Sequence, residues 1–135
     1  KINLKINVFG SEYSKYAYDN ALSDVKDNID LIDPREIHYD ENKFDLIIAL
    51  SVVYTFTIQD AINFLKKITR LSKNNNIFIT LATYSNQEEL DLFNSWTLLG
   101  NLCLKREEWK EIFQESNFKG DYLFIDSNYL SLKLL

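Results

Sequence analysis

The chain has 135 residues, enough for one compact domain and too few for two, so a single domain over 1–135 is the expectation. Apolar residues make up 46% and aromatic ones 14%, which removes the chain from the composition of disordered proteins. A net charge of -5, with lysines scattered among acids, gives no basic footprint for a phosphate backbone, so nucleic acid is not expected as a partner.

The single cysteine, Cys103, excludes an internal disulfide and a cysteine-based metal site; it reads as a small buried residue in a reducing, cytoplasmic setting. No run reaches the roughly 18 apolar residues of a membrane span, and the first residues lack a signal-peptide core, so no membrane is expected as a partner either. The chain starts at Lys1, holds no Met and has three Gly, which raises the expectation that part of the natural polypeptide lies outside it.

Residues 3–9 (NLKINVF) alternate apolar and polar side chains with a strand's period of two, closing at Gly10. Ser14 suits an N-cap for a helix through Tyr16, Ala17 and Ala21. Residues 29–32 form a short apolar run closed by Asp33-Pro34, and 40–43 (DENK) a polar turn. The run 44–50 (FDLIIAL) is almost continuously apolar, as expected of a central strand covered on both faces. Ile58, Ala61, Ile62, Leu65 and Ile68 recur at helical spacing, with Gln59, Asp60, Lys66, Lys67 and Arg70 opposite, predicting an amphipathic helix of about four turns. The break at 73–76 (KNNN) precedes a second buried strand at 77–81 (IFITL).

Within 86–101, the polar start Gln87, Glu88, Glu89 and the stripe Leu90, Phe93, Trp96 predict a short helix. Another is expected over 106–116, with Trp109, Ile112 and Phe113 inward. Residues 122–125 (YLFI) and 129–135 (YLSLKLL), joined by Asp126, Ser127 and Asn128, read as a terminal antiparallel hairpin. Strands alternating with helices and a closing hairpin predict an α/β fold: a mostly parallel twisted sheet, helices on both faces and an antiparallel edge.

In such sheets ligands bind beyond the carboxyl ends of the strands, which singles out Glu12, Asp33, Ser51 and Thr83. A carboxylate at Glu12 can accept from both hydroxyls of a ribose, or it can simply serve a turn or helix start. Asp33 can accept from an exocyclic amine such as adenine's, or open a turn with Pro34. Ser51 and Tyr54 follow the apolar strand and either meet a ligand or pack. Tyr84, Trp96 and Trp109 either line an aromatic pocket or fill the core. His38, the only histidine, reads as a surface imidazole rather than a base. Hydrolase, zinc-protease and nucleotide-triphosphate loop motifs are absent, and no metal site is expected.

In order and spacing these segments resemble the class I, Rossmann-like S-adenosylmethionine-dependent methyltransferases from the second strand of that fold onward. The block 8–21 (VFGSEYSKYAYDNA) is similar to the family's second strand and helix, and 31–56 (LIDPREIHYDENKFDLIIALSVVYTF) to its adenine-contacting Asp, acidic turn and following strand. Ile58 to Leu81 resembles the next helix, turn and strand, with Lys73 to Asn76 where many members have Lys-Pro-Gly; Glu107, Glu108 and Trp109, then 118–122, resemble the last helix and the entry to the hairpin.

The resemblance implies S-adenosylmethionine as cofactor, Glu12 on its ribose, Asp33 and Pro34 at its adenine, and Ser51 near cofactor and acceptor. Tyr54, Tyr84 and Trp96 would face a small-molecule methyl acceptor, with no catalytic base assigned. A noncatalytic Rossmann-like module or partner subunit that has lost cofactor binding is the competing expectation, and the oligomeric state is left open. Three positions depart from the family. Its opening strand and G-x-G loop have no counterpart before Lys1, which predicts an incomplete sheet with an unpaired slot. Pro34 has no N–H to offer a base, and Ile32 stands where glycine is common.

Overall fold

The structure, a computed structural model, describes residues 6–124, and the chain divides between Tyr39 and Asp40 into two units. In the first unit, β1 (Gly10–Glu12) pairs in parallel with β2 (Ile29–Leu31), Gly10 opposite Ile29 and Glu12 opposite Leu31. Between them lie two short helices, α1 (Lys15–Asp19) and α2 (Ser23–Lys26). The expected strand at 3–9 is displaced: residues 6–9 are not in a strand, residues 1–5 lie outside the described residues, and pairing begins at Gly10, where a turn was expected. Only from Gly10 onward does the backbone run beside β2, with Gly10 N–H donating to the Asn28 carbonyl at 2.9 Å.

Ser14 caps α1 as its sequence position suggests, its hydroxyl accepting from Ala17 N–H at 3.2 Å. The helix ends at Asp19 rather than continuing through Ala21, because Asn20 leaves helical geometry and its side-chain amide donates to the Tyr16 carbonyl at 2.8 Å.

In the second unit, β3 (Ile47–Ala49) pairs in parallel with β4 (Ile77–Ile79), and α3 (Ile58–Leu71) crosses between them. The amphipathic pattern of α3 explains its place: Ala61, Ile62, Phe64, Leu65, Ile68 and Leu71 are buried, while Lys66 and Arg70 are exposed. Thr57 caps it, accepting from Asp60 N–H at 3.1 Å and donating to the Asp60 carboxylate at 2.9 Å. Asn75, at φ 56°, turns the chain out of the helix and into β4. The helices α4 (Gln87–Trp96) and α5 (Arg106–Glu115) follow. Trp109 and Ile112 of α5 join the α3 side chains, Val53, Phe56 and Leu102 in one core.

Two expectations about the sheet need correction. The strand at 44–50 is shorter, with Phe44 making only an isolated bridge to Ser72, and it is not covered on both faces: Ile48 and its partner Phe78 are 59% and 57% exposed. A helix covers one face only, because the inward residues Ile47, Ala49, Ile77 and Ile79 pack on the core while the alternate positions face away. Among the described residues the strands form two separate pairs, β1 with β2 and β3 with β4, rather than one continuous sheet. The expected hairpin lies largely outside the described residues. Where described, Tyr122, Leu123 and Phe124 are not in a strand, and the Tyr122 ring lies 5.9 Å from that of Phe113. Among the described residues no helix is long and apolar enough to cross a membrane.

Candidate functional site

The carboxyl end of the first pair carries both acids singled out by sequence. Glu12 closes β1, and Asp33 stands two residues beyond the end of β2, its parallel neighbour. The turn between them is pinned by Ile32 N–H, which donates to the Glu12 carbonyl at 3.0 Å. Each carboxylate also has a local task. Glu12 Oε1 accepts from Ser14 N–H at 2.7 Å, holding the entry to α1. Asp33 Oδ1 accepts from Arg35 N–H at 2.8 Å and from its Nε at 2.9 Å, and Oδ2 pairs with Arg35 Nη2 at 2.6 Å. Pro34 opens that turn, needing no N–H partner there. On the same unit a shallow cleft is bordered by Asp30, His38 and Tyr39. The Tyr39 hydroxyl donates to the Asp30 carboxylate; burial first, and that bond second, push its pKa up to about 12.

The second unit holds a cavity of about 370 Å³ beyond the carboxyl ends of β3 and β4. Ser51, two residues past β3, stands at φ 54° in the left-handed region, a costly conformation for a residue with a Cβ. Its N–H donates to Thr80 Oγ1 at 2.8 Å, across the gap to the end of β4. The chain thus turns sharply out of β3, and both Ser51 and Thr80 line the cavity.

Aromatic side chains form the opposite wall. The Tyr54 and Phe93 rings meet edge to face at 6.2 Å and 87°, and Phe93 and Trp96 do so at 5.7 Å and 77°. Two features hold that wall. The chain after α4 returns to Tyr54, whose carbonyl accepts from Asn101 N–H at 2.8 Å and Leu102 N–H at 2.9 Å. Gly100 lies so close to Phe93 that a Cβ there would sit 2.6 Å from the ring edge. The floor is set from the core: Trp109 is fully buried and its Nε1 donates to the carbonyl of Ala82, a lining residue, at 2.7 Å.

Of the residues expected here, Ser51, Tyr54, Trp96 and Thr83 line the cavity. Thr83 is occupied, donating to the Leu104 carbonyl at 2.9 Å. Tyr84 is not among the lining residues; its N–H bonds to Leu104, and its ring lies 6.0 Å from Lys105 Nζ. Trp109 belongs to the core rather than to the pocket surface. Sequence reading did not single out Thr80, Glu89, Phe93 or Arg106 as site residues. The i, i+3 pair Phe93 and Trp96 and the acid three residues after Asn86 were the available signals. Glu89 Oε2 accepts from Ser85 N–H at 2.7 Å, while Glu89 N–H donates to Asn86 Oδ1 at 3.0 Å, so α4 starts at a fixed place on the cavity rim.

Two parallel strand pairs, each with polar residues just past its carboxyl end, fit the pattern of ligand-binding α/β proteins. The family described as Methyltransferase domain matches residues 2–80, which is 79 of the 135 residues and so more than half of the chain. The chain belongs to that family. Neither the curated proteins nor the solved structures contain a match to it. The matched stretch of this methyltransferase domain runs from Ile2 to Thr80 and takes in β1 through β4. The part of the aromatic wall that α4 supplies, Phe93 and Trp96, lies beyond it.

Proposed function

We propose that this methyltransferase domain uses S-adenosylmethionine to methylate a small-molecule acceptor. The observation that carries the reading is the placement of Glu12 and Asp33 past the same end of two neighbouring parallel strands. Carboxylates at the carboxyl ends of neighbouring parallel strands suit the ribose diol and the exocyclic amine of a nucleoside. Glu12 would hold the ribose. Asp33 and Pro34 would stand at the base, Asp33 through its carboxylate and Pro34 as an apolar surface without an N–H. Glu12 Oε1 is committed to Ser14, and its second oxygen keeps acceptor capacity for a hydroxyl.

When bound, the cofactor supplies an electrophilic methyl group on a sulfonium. The contribution of the chain is alignment. Ser51, fixed by its bond to Thr80, and Tyr54, fixed through Asn101 and Leu102, would hold the acceptor in the cavity of the second unit. The aromatic wall excludes water from one side of the cavity. An acceptor hydroxyl or amine would release one proton as its lone pair bonds to the methyl carbon, the carbon–sulfur bond breaking with its electron pair left on a neutral thioether. Glu89 is the carboxylate on the cavity wall able to take it.

A noncatalytic module of the same fold is the second reading, favoured by one observation: both carboxylates already satisfy local donors, Ser14 N–H and Arg35. Calorimetric titration of the full-length protein with S-adenosylhomocysteine separates the two. Micromolar binding that weakens at least tenfold in Glu12→Ala supports the methyltransferase reading. Absent binding by a folded protein supports the module, and unchanged affinity in Glu12→Ala removes Glu12 from the ribose.

A further inference from the structure

We infer that the cavity beyond β3 and β4 selects a neutral aromatic molecule carrying a hydroxyl or amine, and that this is the class of the methyl acceptor. The second half of the statement rests on the methyl-transfer reading above; the first half does not.

The chemistry of the lining leads there. Tyr54, Phe93 and Trp96 form a continuous edge-to-face series along one wall, and such rings favour another ring over an aliphatic body of equal size. Trp96 is 63% exposed, although it sits on a helix with an apolar stripe. An indole left at the mouth of a cavity, tied edge-on to a neighbouring ring, presents a face for a ligand to cover. The wall is also held in place before any ligand arrives, by the close approach of Gly100 to Phe93 and by the return of the chain to the Tyr54 carbonyl. A preset wall costs less to order when a rigid ring settles on it.

The other wall is polar and largely uncharged. Ser51 and Ser85 bring hydroxyls that make no hydrogen bond among the described residues, Tyr54 adds its own from the aromatic wall, and Thr80 Oγ1 accepts from Ser51 N–H. Hydroxyls both give and accept, which matches a ligand hydroxyl or amine. Two charged groups border the cavity. Glu89 and Arg106 carry opposite charges on the same lining, so the cavity has no net charge to attract an anion, and the Arg106 guanidinium also lies over the Phe124 ring at 5.3 Å. A volume of about 370 Å³ falls near the lower end of ligand cavities, room for one or two fused rings. Phe93 and Trp96 of α4 lie beyond residues 2–80, the stretch that the family matches, while Tyr54 lies within it.

The test compares 2-naphthol with its saturated counterpart decahydro-2-naphthol, and with 2-naphthoate, by calorimetry on the full-length protein with and without S-adenosylhomocysteine. Expected is a preference of about threefold to tenfold for 2-naphthol over the saturated alcohol, abolished in Trp96→Leu or Phe93→Leu. Equal affinity for the two alcohols in the wild-type protein overturns the aromatic assignment, and tighter binding of 2-naphthoate overturns the neutral one. Selective binding of 2-naphthol without any binding of S-adenosylhomocysteine leaves the cavity assignment standing and defeats the acceptor role. Binding of S-adenosylhomocysteine without aromatic preference defeats the inference and leaves methyl transfer intact.

Discussion

Trp109→Phe tests the link between core and cavity most directly. Trp109 has no exposed surface, stacks on Phe113 at 6.2 Å and 24°, and donates from Nε1 to the Ala82 carbonyl at 2.7 Å. That carbonyl also accepts from Leu104 N–H, but at a longer 3.4 Å. Removing the indole N–H therefore leaves it one weak bond, a loss of about 0.5–1.5 kcal/mol. Complete truncation of a buried aromatic costs about 3–5 kcal/mol, and exchanging indole for phenyl removes a fraction of that, roughly 1–2 kcal/mol. The sum is roughly 1.5–3.5 kcal/mol. With a urea m-value of about 2 kcal/mol/M, the unfolding midpoint should fall by about 0.75–1.75 M at unchanged slope.

The assay also checks itself, because the chain has two tryptophans. In Trp109→Phe the remaining emission comes from the largely exposed Trp96 and should be red-shifted. In Trp96→Leu it comes from the buried Trp109 and should be blue-shifted. A midpoint shift below about 0.2 M, or emission in the reverse order, would refute the proposed burial and hydrogen bond.

Ser51→Gly relieves a left-handed backbone worth about 1–2 kcal/mol and adds chain entropy worth about 0.5–1 kcal/mol to the unfolded state, so thermal melting should rise by a few degrees, about 1–3 °C; a fall would show that φ 54° carries no strain. The Cys103 thiol is pushed up by burial and then by the Glu89 charge, so iodoacetamide at pH 8 should alkylate it more slowly than free cysteine, and faster in Glu89→Gln; equal rates in the two proteins would remove the electrostatic part. Tyr39 keeps its proton in the fold up to about 12 and in the unfolded chain only to about 10, so its stabilisation is complete below pH 10 and is lost as pH rises toward 12. Tyr39→Phe should therefore lose less stability than wild type between pH 10 and 12, and parallel urea midpoints across that range would contradict the burial of Tyr39 together with its Asp30 contact.

Residues in sequence fixed the parts of this protein whose cause is local. The apolar period of 3.6 along 58–71 dictates both the length of α3 and its buried face, and the short polar side chain of Ser14 dictates where α1 begins. The order of strands, helices and post-strand acids was sufficient to mark the methyltransferase family, since that order is a property of the chain and not of its packing. Tertiary structure decided what depends on neighbours distant along the chain. Trp96 and Trp109 both lie on apolar helical stripes, yet one lines a cavity and the other is sealed in the core, where α5 packs against α3. The same holds for the run at 44–50. Its uniform apolarity predicted cover on both faces, but parallel pairing with β4 and a helix on one side bury alternate residues and leave Ile48 exposed. Glu89, Thr80 and Phe93 escaped notice as site residues for a related reason. A cavity wall is defined by convergence of side chains from separate elements, and no local pattern in a single sequence records where those elements meet.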